Sequence, residues 1–269
     1  PRVAFLMDNL MHRLGLHGKS IIPFILGYGC SVPAVMATRI MESPRDRFVV
    51  ALLAVLIPCS ARSVIIFALV AYAIGPIYAL GVYFLNLVVI AALGRVSTWI
   101  LPEVSPGLLM EIPEYRRPSL SNVLHKSWRS LKDFVVVAWP ILILGSLILS
   151  LLKFYKLDTL IDQALAPLTS LLGLPASVGT TLIFGIMRKE LALVMLNEAL
   201  GTTQLQTVLT QTQLLTFTVF MLFYIPCAAT IAALGREVGW RGAAAAVMGS
   251  LALALALGLL ARATGMLLF

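Results

Sequence analysis

Three thiols carry the chemistry this sequence offers. Cys30 lies in Gly27-Tyr-Gly29-Cys30-Ser-Val-Pro33, Cys59 in Pro58-Cys59-Ser60-Ala-Arg62, and Cys227 in Pro226-Cys227-Ala-Ala-Thr230. Each stands inside an apolar run, beside a residue that interrupts a helix. Gly and Pro release backbone carbonyls from the helical ladder. In lipid such carbonyls are tolerated only where they are buried in protein or face a water-filled cavity. Sulfur suits soft and borderline metals, with carboxylates or water completing the shell. A cargo that must leave again needs exchangeable coordination, because a closed site would trap it. For one cysteine alone, packing explains as much, since free Cys is among the most buried residue types. Three, all at breaks, point to a pathway.

Other polar groups sit at the same depth. Ser60 beside Cys59, and Glu190, add oxygen to the candidate metal route. Arg62, Arg188 and Lys189 would repel a cation, so they are assigned to ion pairing or gating. Gly185, just before Arg188-Lys189-Glu190, is expected to break its helix as Gly27, Gly29, Pro33, Pro58 and Pro226 break theirs. Met36, Met187 and Met221 could offer thioether, but methionine in an apolar helix is usually core.

The elements that must hold these groups are membrane helices. The chain is 60% hydrophobic and 12% charged, with a mean hydropathy of +0.97. Soluble domains are nearer 45–50% apolar and about a quarter charged. The apolar runs are too long and continuous for a transmembrane β-barrel. The fold class is all-α, a polytopic helical membrane protein with broken helices. The net charge of +8 fits anionic headgroups and the positive-inside bias, not nucleic acid. Three cysteines within apolar runs make no disulfide framework. The chain opens on Pro1 with no signal peptide, and is expected to be part of a longer product.

In order, residues 1–20 read as an amphipathic lead-in ended by Gly15 and Gly18. Gly18-Lys19-Ser20 is no phosphate loop, because Arg13 stands where that pattern needs Gly. His12 and His17 read as interfacial polar residues. Residues 21–101 hold the first half: the Cys30 stretch, a basic turn from Arg39 to Arg47, a span broken at Pro58-Cys59, and a span carrying Asn86 as an interhelical hydrogen-bonder. Residues 102–133 are polar and basic, an extramembrane connector expected on the cytoplasmic side, with a helix capped from Ser119 that carries Trp128 to the interface. Residues 134–175 are a linking span and amphipathic helix. Residues 176–269 are the second half. About six or seven spans fit at ~20 residues each.

The halves repeat faintly. A Gly-bearing break precedes Pro58-Cys59-Ser-Ala in one and Pro226-Cys227-Ala-Ala in the other, the sequence pointer to a transport site near the midplane. These residues also resemble a known family. Gly27 to Arg39, followed by Pro-Cys59-Ser-Ala-Arg62, resembles the first gate region of ferrous iron transport protein B. Phe184-Gly-Ile-Met-Arg188-Lys-Glu190 and Pro226-Cys227 through Gly235-Arg-Glu237 resemble its second gate region, and Glu111-Ile-Pro-Glu-Tyr-Arg-Arg-Pro-Ser-Leu120 resembles the segment between them.

The resemblance implies the permease module of a prokaryotic inner-membrane importer of Fe²⁺, its thiol route mapping onto Cys30, Cys59 and Cys227. GTP and Mg²⁺ would belong to a cytosolic GTPase domain outside this chain, and no catalytic site is read within it. Small cytosolic accessory proteins are implied as partners, and there is room for a homo-oligomer. The sequence departs from the pattern in three ways: the GTPase domain is not present, the first gate region is expected to be truncated, and Ser63-Val64 replaces the Leu-Pro of many members. The alternatives are a nucleoside-type permease, which should carry Asn, Gln and Glu at its breaks, and a non-transporting membrane scaffold. A membrane thiol oxidoreductase would need a close Cys pair or a quinone or haem ligand set.

Overall fold

The structure is a computed structural model. It describes residues 2–13, 15–100, 119–125, 127–128, 132, 135–136, 139–140, 143–144, 147, 151, 158–187, 189–201 and 205–268. Among these there is no strand, and the all-α polytopic class holds. Most of the expected connector and linking span lies outside the described residues. Within it, residues 120–125 are helical and Trp128 is exposed.

Among the described residues, four helices are long and apolar enough to cross a membrane: Pro44–Ala71, Pro76–Ser97, Gln211–Glu237 and Gly239–Leu268. Two of them are broken at mid-length. The first comprises α4 (Pro44–Leu56) and α5 (Ser60–Ile65), which runs on as a π-helical turn to Ala71. The third comprises α10 (Gln211–Phe223) and α11 (Ala228–Glu237). The unbroken pair are α6 (Pro76–Ile100) and α12 (Gly239–Leu268). Their starts follow local chemistry. Pro44 occupies the first turn of α4 while the Ser43 side chain accepts from the Asp46 amide. Thr210 and Gln213 form a reciprocal capping box on α10.

Two expected spans are hairpins instead. Helix α2 (Ile21–Gly29) has 9 residues and α3 (Ser31–Ala37) has 7, with Cys30 between them. At 1.5 Å per residue, α2 reaches about 13 Å, less than half of a ~30 Å hydrocarbon core. Lys19, at the start of α2, pairs with Glu42, beyond the end of α3. The segment therefore enters and leaves by the same face, with Cys30 at its tip. The second hairpin pairs α8 (Val178–Met187) with α9 (Lys189–Leu200). Ser177 and Thr180 share a cavity with Met195 and Glu198, so its two ends also lie together. A hydropathy count does not distinguish such a hairpin from a span.

The two halves run in opposite directions. Glu237 at the end of α11 binds Arg39 and Arg47, which flank the start of α4. Gln206, just before α10, donates to the carbonyl of Tyr72, just past the first broken span. The first hairpin thus opens on the face of Arg39, the second on the face of Tyr72, and the broken spans are antiparallel. This is an inverted arrangement of the kind that places a site at the repeat interface.

Close packing holds the bundle. Every residue of α10 from Leu214 to Phe223 is buried. Helix α12 buries Ala243, Ala246, Ser250, Ala254, Gly258, Ala261 and Gly265, a stripe of small residues spaced by three and four; its first members pack with Ala229 and Ala233 of α11, and Gly258 and Gly265 meet Phe220 and Thr212 of α10. Side chains of Leu172 and Phe220 fill the space over Gly258. The turn from α11 to α12 rests on Gly239, whose φ of +80° suits glycine alone among common residues. The lead-in, α1 (Arg2–Arg13), is tied down where Asp8 accepts from the Gly18 amide, pairs with His12, and His17 caps the turn at Lys19.

Candidate functional site

All three cysteines occupy the same backbone position. Cys30, Cys59 and Cys227 are extended residues immediately before α3, α5 and α11, and none of the three thiols caps the helix it precedes. The first-turn amides and the positive end of the helix dipole therefore lie beside each thiol. All three are half-buried and none is in a disulfide. Cys227 Sγ lies 3.0 Å from Thr230 Oγ1.

The breaks converge. Ser60 Oγ donates to the Gly29 carbonyl at 3.0 Å, joining the Cys59 break to the tip of the first hairpin. Cys30 and Cys227 pack against one cluster that includes Val32, Val55, Ala229 and Ala233. Cys59 and Cys227 both lie within electrostatic reach of Arg62 and of Lys189.

The carbonyls exposed by the breaks are accounted for individually. Arg62 donates to Val55 and Ile57, the latter at 3.2 Å, and Asn86 on α6 donates to Leu56 between them at 3.0 Å. Lys189 donates to Met221 at 2.8 Å and to Tyr224 at 3.2 Å, and Arg62 reaches Tyr224 at 3.4 Å. Arg62 and Lys189 are 2% and 3% exposed. Among the described residues neither meets a carboxylate, so their visible role is to cap the negative ends of α4 and α10. Asn86 makes the interhelical bond expected of it.

Pro58 and Pro226 fall in the non-helical links, but other expected breaks lie elsewhere. The first break is Cys30 itself, with Gly29 ending α2. Gly27 is helical, and a Cβ there would meet Ile57 at 3.2 Å. Pro33 is helical because it occupies the first turn of α3, where its missing N–H has no partner to lose. Gly185 lies within α8, where a Cβ would come 2.6 Å from Met221. It is a packing glycine, not a break. Arg188 lies outside the described residues, and so does the side chain of Glu190, whose backbone is in α9. Among the described residues no three His, Cys, Asp or Glu side chains form a ready metal shell.

Sequence reasoning missed the clamp on Glu237. Its side chain is 2% exposed and held by Arg39 and Arg47. It also missed Asp162, on α7 (Asp158–Leu171), which accepts from the amide and hydroxyl of Thr180 at the start of α8.

Comparison with known proteins gives the lineage. Residues 1–73 and 135–241 match the family described as Gate, nucleoside recognition. Residues 79–129 match the ferrous iron transport protein B C terminus. The Fe(2+) transporter FeoB of Methanocaldococcus jannaschii is 32% identical over 298 residues, covering 100% of this chain and 44% of that protein. The FeoB of Staphylococcus aureus strain MSSA476 is 31% identical, over 92% of this chain and 41% of its own length. A Porphyromonas gingivalis protein, named as a fusion of Fe(2+) transport protein A with Fe(2+) transporter FeoB, is 38% identical over 57% of this chain and 19% of its own. The chain thus spans less than half the length of these relatives. No solved structure matches significantly. With gate-family matches on both sides of a ferrous iron transport protein B segment, the chain belongs to the ferrous iron transport protein B family.

Proposed function

We propose that this chain is the permease portion of an Fe²⁺ importer of a prokaryotic inner membrane, and that the ion passes the thiols of Cys30, Cys59 and Cys227, with Ser60 and Glu190 supplying oxygen. The observation that carries the reading is the shared placement of the thiols, each at the start of a half-helix where the breaks converge. Metal binding requires thiolates. A divalent ion with two thiolates is a neutral unit, and so escapes the repulsion that Arg62 and Lys189 would exert on a bare cation. The printed names of the relatives, Fe(2+) transporter, support Fe²⁺ as the cargo.

On this reading residues 21–101 and 176–269 are the gate regions and 102–133 the connector. The face bearing Lys19, Arg39, Arg47 and Arg236 is cytoplasmic by the positive-inside rule. A GTPase domain using GTP and Mg²⁺ drives or gates the pathway from that face. The fusion named in Porphyromonas gingivalis supports a small accessory protein as a further partner. The gate family's description names nucleosides, but a nucleoside site would set amides and carboxylates at the breaks, where this chain sets thiols.

The test is anaerobic Fe²⁺ uptake into vesicles carrying the complete protein. Changing the three cysteines together to serine is expected to abolish uptake while insertion stays normal. Uptake at the unmodified rate would dismiss the thiol pathway.

A further inference from the structure

We propose that Thr230 is a positioning residue for the sulfur of Cys227, holding it by a hydrogen bond that persists when an ion is bound and keeps that ion exchangeable. The inference rests on the thiol route above and deepens it. Thr230 Oγ1 lies 3.0 Å from Cys227 Sγ. Thr230 is 0% exposed, whereas Cys227 is half-buried. The hydroxyl is thus sealed in protein, and the residue bearing the sulfur keeps some surface.

The hydroxyl's choice of partner sets it apart within this chain. Thr38, Thr169, Thr216, Thr218 and Thr264 each donate to a main-chain carbonyl three or four residues back. For Thr230 the carbonyl three residues back belongs to Cys227, and it already accepts the amides of Thr230 and Ile231. The hydroxyl turns to the sulfur instead. Cys227 immediately precedes α11 and Thr230 is its third residue, the spacing at which a side chain reaches back to the helix cap. The other two thiols lack such a neighbour. Pro33 stands three residues after Cys30, and Arg62 three after Cys59, where its guanidinium goes to the carbonyls of Val55 and Ile57.

While the thiol keeps its proton, either group can donate. A metal-bound sulfur has lost that proton, so the hydroxyl must then be the donor. Such a donor fixes the side chain in one orientation. It also draws off electron density that the metal would otherwise receive. Outer partners of a metal ligand typically change affinity or activity by about 10–100-fold. Softened donation from sulfur suits a cargo that has to leave again.

The experiment is anaerobic titration of the complete protein in lipid nanodiscs with Co²⁺, reading the thiolate-to-metal charge-transfer absorption. The band is expected in the parent and should weaken in Cys227→Ser. Thr230→Val keeps the shape but removes the donor, so the band should move to longer wavelength. Thr230→Ser restores the hydroxyl and should restore the parent wavelength. Fe²⁺ uptake into vesicles should fall about tenfold or more in Thr230→Val and recover in Thr230→Ser. A residue that only packs predicts the reverse ranking, because serine loses the methyl and valine keeps it. Thr230→Ala gives the same spectral reading if the valine variant does not insert. A band at the parent wavelength in Thr230→Val or Thr230→Ala would overturn the role of Thr230 and leave the thiol route standing. Absence of the band in the parent, or its persistence when all three cysteines become serine, would overturn the thiol route and this inference with it.

Discussion

Lys189 donates to the main-chain carbonyl of Tyr224 at 3.2 Å, across 35 residues of sequence. The bond joins the tip of the second hairpin to the break before Cys227, and a second bond from the same ammonium reaches Met221. A hairpin tip and a broken span are thereby one mechanical unit. Lys189→Met keeps the volume but orphans the buried carbonyl of Met221 and leaves that of Tyr224 to Arg62 alone. An unsatisfied buried acceptor costs about 1–3 kcal/mol, and the variant is expected to be destabilised on that order, measured by thermal unfolding in detergent. A melting temperature equal to that of the parent would show that the carbonyls find other donors.

Glu237 ties the end of the second half to the start of the first. Glu237→Gln leaves Arg39 and Arg47 beside a neutral amide. Their side chains are 55% and 33% exposed, so water screens part of the loss. The expected cost is about 1–3 kcal/mol, below the ~3–5 kcal/mol of breaking a fully buried pair. A double-mutant cycle with Arg47→Met should return a coupling energy of about 0.5–3 kcal/mol, and additive effects would show the clamp to be inert.

The first hairpin should loosen in acid. A hydrogen bond from Lys19, and then its charge, holds the Glu42 carboxyl below its ordinary value of 4.5. A depressed folded pKa stabilises the closed ends above the unfolded value, and that support is lost as pH falls through the folded one. Amide protection across Ile21–Ala37, corrected for the intrinsic rate, is therefore expected to fall as the pH drops below the ordinary value of 4.5. Glu42→Gln should remove the pH dependence. Protection that falls equally in that variant would assign the effect to another group.

Two glycines of α12 should respond oppositely to alanine. At Gly265 a Cβ would lie 2.8 Å from Thr212 Cγ2 and 3.3 Å from its Cα, while at Gly249 nothing lies within 4 Å. Gly265→Ala is expected to cost about 1–3 kcal/mol through overpacking. Gly249→Ala should be neutral or stabilise by up to about 1 kcal/mol, the helix-propensity difference. Equal melting temperatures for the two variants would refute the close contact with α10.

The breaks at Cys59 and Cys227 were legible because proline cannot continue a helical ladder, and the local cause lies in the neighbouring residue. The hairpins were not legible. A run of apolar residues has the same hydropathy whether it crosses or turns back; this one turns at the extended Cys30, and its ends meet in the distant pair Lys19–Glu42. Gly185 misled for a related reason, since a glycine that admits Met221 and a glycine that ends a helix are the same letter. The Arg39–Glu237 bond spans 198 residues, and no local pattern announces it. Arg62 and Lys189 were recognised as costly at their depth. Their partners proved to be carbonyls, which a reading of side-chain charges passes over.

Half-helices of 13 and 10 residues flank the Cys227 break, so about 20 Å and 15 Å of helix separate that thiol from the two surfaces. A divalent ion arriving there from either side has crossed roughly half of the transmembrane voltage. At about 2.3 kcal/mol per elementary charge per 100 mV, two charges over half the drop amount to about 2.3 kcal/mol, near fifty-fold in occupancy. On the proposed thiol route, resting voltage alone would draw the ion inward as far as Cys227 from the positive side, and hold it against return.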